Sequence, residues 1–333
     1  MKIKVLVSGA AGDVGQGVLK ALAESALDID AYTTCIGAHS SWLHQPGVTG
    51  FIAPLSVSED YVPFLIRPIR RHGIQVFFPT VDGEITKISR EKARIEGETG
   101  CEVFVDGEDR VAVSDNKFNT AEFLRSHGFA YAATAIAAGA EARALAGRLG
   151  LPVIVKKSSG KGSQDVFQVN DISELDRRLG DPSFVIQEWL DPEHGEYTSG
   201  LYLGDDGEIK GACTFRRKLK GGSTYIAERI VDPVLEQPLE RIARTLGMKY
   251  LNIQSMRRGN ELVPFEFNGR LSGTTAMVSK VFNAPEMFIR ERILGETLQR
   301  MDNPIRFVAM RYYEEAYASP EEINALLTRS GEI

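Results

Sequence analysis

The sequence predicts an α/β protein with an N-terminal doubly wound domain followed by a second domain, and three observations support this prediction. The chain has 333 residues, of which 43% are hydrophobic and 25% charged, a length that suggests about two domains and a large core. Residues 3–7 form a short apolar strand that runs into Gly9, Gly12 and Gly15 and then into an apolar-periodic helix, which is how a doubly wound unit begins. Short strand and helix patterns then alternate along the chain.

Charge and cysteine content argue against several classes of protein. The formal net charge is -6, and no cluster of lysine and arginine is long enough to indicate nucleic-acid binding. No apolar stretch approaches the roughly 20 residues that span a bilayer, and the N-terminus has the pattern of a strand rather than a signal peptide. Cys35, Cys101 and Cys213 show neither a disulfide nor a zinc spacing. We therefore expect a cytoplasmic protein that binds neither nucleic acid nor membranes.

The first domain is predicted to cover residues 1–112. Its further elements are strands at 32–36, 75–79 and 102–105 and helices at 59–71 and 84–96. The turn Pro79–Glu84 directly follows a strand, and open sheets bind ligands at that edge. We therefore expect this turn to line a substrate cleft.

A second unit is predicted to begin near Ser114. Either Ser114 or Asp115 can cap a helix that ends at His127–Gly128. Beyond it we predict helices at 137–149 and 235–245, strands at 152–157, 166–169, 250–257 and 261–267, successive strands over 184–217, and a tail with a strand at 307–312 and a helix after Pro320.

The N-terminal glycines alone are a weak signal for a dinucleotide. Gly9-x-x-Gly12-x-x-Gly15 is close to the spacing that lets a pyrophosphate approach a helix N-terminus, and it resembles NAD-dependent short-chain dehydrogenases and epimerases. Those enzymes need a Tyr-x-x-x-Lys pair, which this chain lacks. We favour tight packing of strand on helix, and keep an NAD-dependent epimerase or reductase as the less favoured alternative.

A candidate phosphate loop follows the strand at 152–157. Lys156 lies near the end of this strand, and residues 158–163 read Ser-Ser-Gly-Lys-Gly-Ser. Backbone N–H groups of small residues can wrap phosphate oxygens, and Lys156 can add a point charge. The segment leads into a strand and lacks the Walker A spacing. By itself, a solvated hairpin turn explains it equally well.

The strongest signal is a carboxylate and a carboxamide two residues apart. Alternation along the strand at 261–267 places Glu266 and Asn268 on one face, and Phe265 and Phe267 on the other. Carboxylate and amide oxygens suit Mg²⁺, or Mn²⁺ in its place. Arg270 follows two residues later, where it can bind a phosphate or an acyl phosphate.

Gln254 is predicted to join this metal site from the neighbouring strand. A three-residue turn at Arg258–Asn260 would place Gln254 on the same face as Glu266. A two-residue turn at Gly259-Asn260 would pair Gln254 with Phe265 and point it into the apolar face instead. The face on which Gln254 lies therefore tests its assignment as a metal ligand.

In combination and in this order, the segments resemble the ATP-grasp superfamily, near the carboxylate–amine ligases and the synthetase halves of the carbamoyl phosphate synthase large subunit. The similarity covers about residues 75–295, and the matching segments are 115–117, 156–163, 185–190, 195–198, 252–254 and 266–270. Two features depart from the family pattern. Gly269 replaces the usual proline, and the phosphate loop has fewer glycines and an added Lys161.

The resemblance implies both a domain plan and an activity. A Rossmann-like pre-ATP-grasp domain at 1–112 would precede an ATP-grasp domain at 113–310 and a tail at 311–333. Two α+β subdomains would form the ATP-grasp domain, a lid-bearing one at 113–186 and a metal-binding one at 187–310. The implied activity is that of an ADP-forming ligase that uses ATP and Mg²⁺ to activate a carboxylate as an acyl phosphate and transfer it to an amine. The alternative is an ATP-binding regulatory or sensor module without turnover.

The resemblance also assigns roles to individual residues. Both substrates would be small molecules, and a homodimer is compatible with the sequence. The basic residues and glycines of the segment 216–224 suggest a mobile loop that closes over anions, and a solvated basic hairpin is the alternative. The predicted ATP-binding residues are Lys117, Lys156, Ser158, Ser159, Gly160, Gly162, Ser163, Glu188, Trp189, Leu190 and Glu196, the metal ligands are Gln254, Glu266 and Asn268, and the catalytic residues are Arg270, Arg216 and Lys156.

Overall fold

The computed structural model describes residues 2–160, 165–301 and 303–332. The strands in these ranges are β1 (Ile3–Val7), β2 (Ile29–Cys35), β3 (Val48–Ile52), β4 (Val76–Phe78), β5 (Glu102–Val103), β6 (Thr134–Ile136), β7 (Val153–Lys157), β8 (Val166–Val169), β9 (Phe184–Glu188), β10 (Glu196–Leu203), β11 (Ile209–Lys220), β12 (Ser223–Ile230), β13 (Tyr250–Arg258), β14 (Glu261–Asn268) and β15 (Val308–Met310). The helices are α1 (Asp13–Ala23), α2 (Tyr61–His72), α3 (Asp82–Thr99), α4 (Glu108–Asp115), α5 (Lys117–Ser126), α6 (Ala140–Leu149), α7 (Ile172–Arg178), α8 (Pro233–Leu246), α9 (Thr275–Val278), α10 (Ala284–Arg292) and α11 (Pro320–Gly331).

The N-terminal sheet is parallel, with the strand order β3-β2-β1-β4-β5. This confirms the predicted doubly wound opening. The glycine turn between β1 and α1 exists for close packing, because a Cβ on Gly15 would lie 2.5 Å from the Gly9 carbonyl oxygen. Gly9 itself has a φ of 65°, a conformation that side chains disfavour. The turn therefore needs glycine for reasons that do not involve a ligand.

Two antiparallel sheets follow. The small sheet has the order β6-β9-β7-β8, and the large sheet has the order β14-β13-β10-β11-β12-β15. Apolar residues of the small sheet pack with α6 and α7 in a core of their own. The large sheet is covered on one face by α8 and shares a core with the N-terminal sheet through α9 and α10. The predicted α/β fold class, with two α+β units after a Rossmann-like unit, is confirmed.

The C-terminal tail returns to the first sheet. Strand β15 pairs with β12 at the edge of the large sheet, and α11 then packs against β3. Leu326 of α11 is only 1% exposed and belongs to the core that includes β1, and the Ser330 hydroxyl accepts a hydrogen bond from the Ile52 amide at 2.9 Å. The predicted tail helix is thus part of the N-terminal unit's packing.

Several elements differ from the sequence prediction. The predicted boundary at 112 falls inside α4, and the one at 186 falls inside β9. Asn116 caps α5 by accepting from the amides of Phe118 and Asn119, so the expected cap at Ser114 or Asp115 was wrong. The elements β3, β6, β12, α4, α7, α9 and α10 were not predicted. Among the described residues, no helix combines the length and the apolar character needed to cross a membrane.

Leu326→Ala should destabilise the protein by about 2–5 kcal/mol, because it leaves a cavity in a closed core. Leu327, its neighbour in the same helix, is 50% exposed, so Leu327→Ala should change the stability by less than about 0.5 kcal/mol. Urea unfolding of both variants measures the difference. Equal losses of stability in the two variants would show that Leu326 does not pack in the core of the first domain.

Candidate active site

Two cavities meet along strand β14. The first, of about 420 Å³, lies between the small and large sheets. The second, of about 300 Å³, lies between the large sheet and the carboxyl edge of the N-terminal sheet. The residues that line both are Arg217, Gly222, Gln254 and Glu266. A molecule in one cavity can therefore touch a molecule in the other at these side chains.

Two buried lysines point into the first cavity. Lys156 is 5% exposed, and its Nζ lies 5.1 Å from the centre of the Phe265 ring. Burial lowers the pKa of Lys156 to about 8; Glu266 acts in the opposite direction, and the charge of Lys117 adds to the lowering. Lys117 Nζ donates to the Gly160 carbonyl at 3.0 Å and lies 3.8 Å from a Glu266 oxygen. Two positive charges beside one carboxylate favour an anionic ligand here.

The candidate phosphate loop is described only in part. Gly160 lines the first cavity, and the Ser158 backbone is held by Ser183 and by the Lys117 amide, each at 2.8 Å. For Ser158 and Ser159 the predicted contact with ATP stays a prediction. The predictions for Lys161, Gly162 and Ser163 fall outside the described residues.

The segment predicted to hold a nucleotide base lines the first cavity. Glu188, Trp189 and Leu190 line it, as does Glu196. The Glu188 carboxylate accepts from the Ala133 amide at 3.1 Å and pairs with Arg258 at 3.1 Å. The Glu188 amide also donates to the Ala133 carbonyl at 2.8 Å, so both this side chain and this amide are engaged within the protein, and the predicted contact of 188–190 with ATP stays a prediction.

Gln254 and Glu266 pair directly across β13 and β14 and present their side chains to the same cavities. The predicted shared cavity is confirmed, but the predicted turn was wrong. Arg258 pairs with Glu261, so the turn has two residues, which would normally place Gln254 opposite Phe265. A register shift between Gln254 and Ser255 leaves Phe265 without a cross-strand partner and restores the Gln254–Glu266 pair.

The same bulge changes the position of Phe265. Phe267 is buried in the core, at 1% exposure, as predicted. Phe265 instead lines the first cavity, against Lys156. The expectation that both rings share the apolar face was therefore wrong, because simple alternation does not hold across a bulge.

Oxygen atoms on β13 and β14 form the candidate metal site. Glu266 and Asn268 line the second cavity, and their carboxylate and amide oxygens fit Mg²⁺. Gln254 Oε1 already accepts from Arg217 at 3.0 Å. Among the described residues, no group of three or more histidine, cysteine, aspartate or glutamate side chains could hold a metal ion. The carboxylate and amide oxygens of Glu266 and Asn268 fit a hard cation such as Mg²⁺, which also keeps several waters and binds phosphates.

Arg217, rather than the predicted Arg216, reaches the cavities. Arg217 pairs with Glu196 across β10 and β11, and the two side chains form a salt bridge on the cavity face. Arg216 points to the other face, where it lies beside His194 and Tyr197. Alternation along a strand allows only one of two successive residues to face a given side. The structure thus does not bring Arg216 into the site.

The segment 216–224 was predicted to be a mobile loop, but the structure shows a hairpin. Strands β11 and β12 pair up to Lys220 and Ser223, so the segment is a hairpin with Gly221 and Gly222 at its tip. Its tip, together with Thr224, lines the second cavity.

Arg270 lies in the second cavity, as predicted. Its Nε donates to the Asp82 carboxylate, and its NH1 donates to the Leu271 carbonyl at 2.8 Å. Burial lowers the pKa of the Arg270 guanidinium, against the charges of Asp13 and Glu266. Asp82 belongs to the turn that was expected to line a substrate cleft; it lines the second cavity, and the binding of a substrate there stays a prediction. The sequence analysis missed Asp13, although an acidic residue directly after a glycine turn at a sheet edge was an available signal.

Comparisons with known proteins agree on the fold. No protein-family model matches the chain. The chain is 27% identical over 248 residues to the carbamoyl phosphate synthase large chain of Rubrobacter xylanophilus, a match that covers 64% of this chain and 22% of that protein. A solved structure of the biotin carboxylase domain of 2-oxoglutarate carboxylase from Hydrogenobacter thermophilus, with MgADP, ADP and bicarbonate, is 17% identical, with a TM-score of 0.72 over 93% of this chain and 74% of that one. This chain has the ATP-grasp fold.

A further solved structure supports the assignment of the ATP-grasp fold. The N5-carboxyaminoimidazole synthetase of Staphylococcus aureus, complexed with ADP, is 12% identical, with a TM-score of 0.72 over 100% of this chain and 87% of that one. The resemblance predicted from the ordered motifs is confirmed at the level of fold. Within the ATP-grasp fold, the first cavity lies between the small and large sheets, and the second opens toward the preceding Rossmann-like unit.

Lys156→Met should alter the pH dependence of stability. The pKa of Lys156 is about 8 in the folded protein and about 10.4 in an unfolded chain. Below pH 8 both states hold the proton, and the folded state bears the full cost of the buried charge. Between these values the unfolded state binds more protons, so the wild type gains stability as pH rises.

The free energy of unfolding of the wild type, relative to Lys156→Met, should therefore rise by about 2 kcal/mol between pH 7.5 and 9.5. Denaturant titrations at both pH values measure it. Lys157 is on the same strand but exposed and paired with Asp165, so Lys157→Met is the matched control. A difference that stays constant with pH would contradict the burial of a charged Lys156.

Proposed function

We propose that this chain is an ATP-dependent, ADP-forming ligase that activates a carboxylate as an acyl phosphate and joins it to an amine. The observation that carries the proposal is the junction of the two cavities at Glu266, Gln254 and Arg217. One cavity has buried lysines for phosphates and the other has Arg270 for an anionic acceptor. A phosphoryl group can therefore pass between them without leaving the protein.

The first cavity would bind ATP. The backbone of 188–190 would bind the adenine edge and Glu196 the ribose, while Lys117 and Lys156 would neutralise phosphate oxygens. Mg²⁺ held by Glu266 and Asn268 would supply charge neutralisation to the β- and γ-phosphates. A bound phosphate would raise the pKa of Lys156 back toward its usual range, since a nearby anion favours the charged form.

The second cavity would hold the acid next to the γ-phosphate. An oxygen of the carboxylate attacks the γ-phosphorus, the bond to the β-phosphate oxygen breaks, and ADP leaves. The amine then attacks the acyl carbon, the C–O bond to phosphate breaks, and phosphate and one proton are released. Arg270, with a planar set of donors, would stabilise the transferring phosphoryl group. This chemistry needs no nucleophilic side chain from the protein.

The comparisons limit what can be carried over to this chain. The curated relative is matched over only 22% of its length, and the bicarbonate in the solved biotin carboxylase domain belongs to that protein. We therefore propose small-molecule substrates and a cytoplasmic location. The identity of the acid substrate has to come from this chain's own residues. Intact candidate ligands at Glu266, Asn268 and Arg270 favour turnover over a sensor role.

Glu266→Gln should lower Mg²⁺-dependent ADP release by roughly a hundredfold or more, because it removes both a metal ligand and its charge. The fold should survive, since Glu266 is partly exposed and lies outside the apolar core. Glu261 lies on the same strand at the solvent side, paired with Arg258, and Glu261→Gln should release ADP like the wild type. Normal turnover by Glu266→Gln would show that the metal assignment is wrong.

A further inference from the structure

The second cavity is built around pairs of opposite charge. The Asp82 carboxylate forms a salt bridge with the Arg270 guanidinium. At the rim, Arg311 NH1 lies 3.4 Å from the Asp13 carboxylate and its NH2 donates to the Gly273 carbonyl. Both carboxylates come from the first turns of helices in the N-terminal unit, whereas both guanidinium groups come from the part of the chain beyond it. Each ion pair therefore bridges the two sides of the cavity.

We propose that the acid substrate bound here is an α-amino acid, whose ammonium group contacts Asp82 while its carboxylate contacts Arg270. The inference rests on the proposed ligase function and narrows its acid substrate. The zwitterion lies alongside the ion pair, which stays closed, so that its ammonium group meets the Asp82 carboxylate while its carboxylate meets the Arg270 guanidinium.

The balance of charge in the cavity favours a zwitterion over a simple acid. The carboxylates that line it are Asp13, Asp82 and Glu266, and the guanidinium groups that line it are Arg217 and Arg270. Arg217 is taken up by Glu196 and Gln254. A simple carboxylate drawn to Arg270 would lie beside the like charge of Asp82, and like charges in a secluded site repel strongly. An ammonium group on the same molecule removes this repulsion.

Asp82 is fixed in place rather than free to turn away. The turn before α3 is tied down by Glu84, whose carboxylate accepts from the amides of Thr80 at 2.7 Å and Val81 at 2.8 Å. Glu84 is fully buried and also accepts from the hydroxyls of Ser8 and Tyr61. A buried carboxylate with this many donors holds the turn rigidly, so Asp82 cannot leave Arg270 cheaply when a simple acid arrives.

The remaining surface of the second cavity suits a polar ligand of several atoms. Its volume of about 300 Å³ far exceeds what a small inorganic anion such as bicarbonate fills. Ser272 and Thr274 line it with hydroxyls that bond each other at 2.8 Å, and Asn268 Oδ1 lies 3.5 Å from Arg270 NH2. A molecule that carries both charges close together, with room for a side chain, fits this lining.

Trapping of the acyl phosphate by hydroxylamine tests the inference without knowledge of the natural amine. The full chain is incubated with ATP, Mg²⁺ and hydroxylamine, together with each proteinogenic α-amino acid or with the carboxylic acid that lacks only its amino group. Hydroxamate and ADP are measured, and bicarbonate is tested by ADP release. At least one α-amino acid should form hydroxamate at least tenfold faster than its des-amino counterpart.

Asp82→Asn should reduce this preference at least tenfold, mainly by lowering the rate with the amino acid. Asp205, an exposed partner of Lys249, provides the control, and Asp205→Asn should keep the preference. Thermal unfolding of Asp82→Asn close to the wild-type temperature would show that the variant is folded.

Each negative outcome of these experiments overturns a different claim. If des-amino acids or bicarbonate support equal or faster turnover, the zwitterion inference is overturned while the ligase function stands. If an α-amino acid is preferred but Asp82→Asn keeps the full preference, the role of Asp82 is overturned. If no acid stimulates hydroxamate or ADP formation, the ligase proposal fails together with the inference.

Discussion

The pairing of β13 with β14 places the Glu266 carboxylate beside the Gln254 amide where both cavities meet. A two-residue turn alone would pair Gln254 with Phe265 and Ile253 with Glu266, which would place Glu266 on the core face. The bulge at Phe265 shifts the register by one residue, and every side chain beyond it changes face. Glu266 then faces both cavities, and Phe265 is released from the core to form a wall beside Lys156. The proposed passage of a phosphoryl group depends on this one irregularity.

The electrostatics of the first cavity depend on the same strand. Lys117 and Lys156 are both buried, and Glu266 is the carboxylate that lies nearest to Lys117. Burial of two lysines costs free energy that a single carboxylate only partly offsets. In a site that binds phosphates, the attraction between the bound anion and the two lysines would offset this cost. The folded protein would thus hold a preformed positive charge in the first cavity, where the polyphosphate is proposed to bind.

The sequence was sufficient for most of the fold, because periodicity and turn residues report local structure directly. The strand at 166–169, the helix at 137–149 and the glycine turn before α1 all matched closely. The order of the motifs also identified the ATP-grasp fold. Short elements such as β3 and β6 were missed, because three to five residues give too little periodicity to stand out.

Which face of a strand a given residue occupies was harder to predict than the presence of the strand. Arg216 was chosen over Arg217, and Phe265 was assigned to the core. In both cases the face of a residue is set by cross-strand partners far away in the chain. For Arg217 the partner is Glu196, and no local pattern in two adjacent arginines distinguishes them. Asp13 and Asp82 come together with Arg270 only because two units of the fold pack against each other, which a single strand or helix cannot reveal.

Transfer of labelled oxygen from acid to phosphate tests the central claim most directly. The accepted acid is supplied with ¹⁸O in its carboxylate, together with ATP, Mg²⁺ and an amine acceptor, and the inorganic phosphate is analysed by mass spectrometry. Direct attack of the carboxylate on the γ-phosphorus in the joined cavities predicts one ¹⁸O atom in each phosphate released. Phosphate without label, formed at the same rate as ADP, would mean that water rather than a carboxylate accepts the phosphoryl group, and would contradict the account.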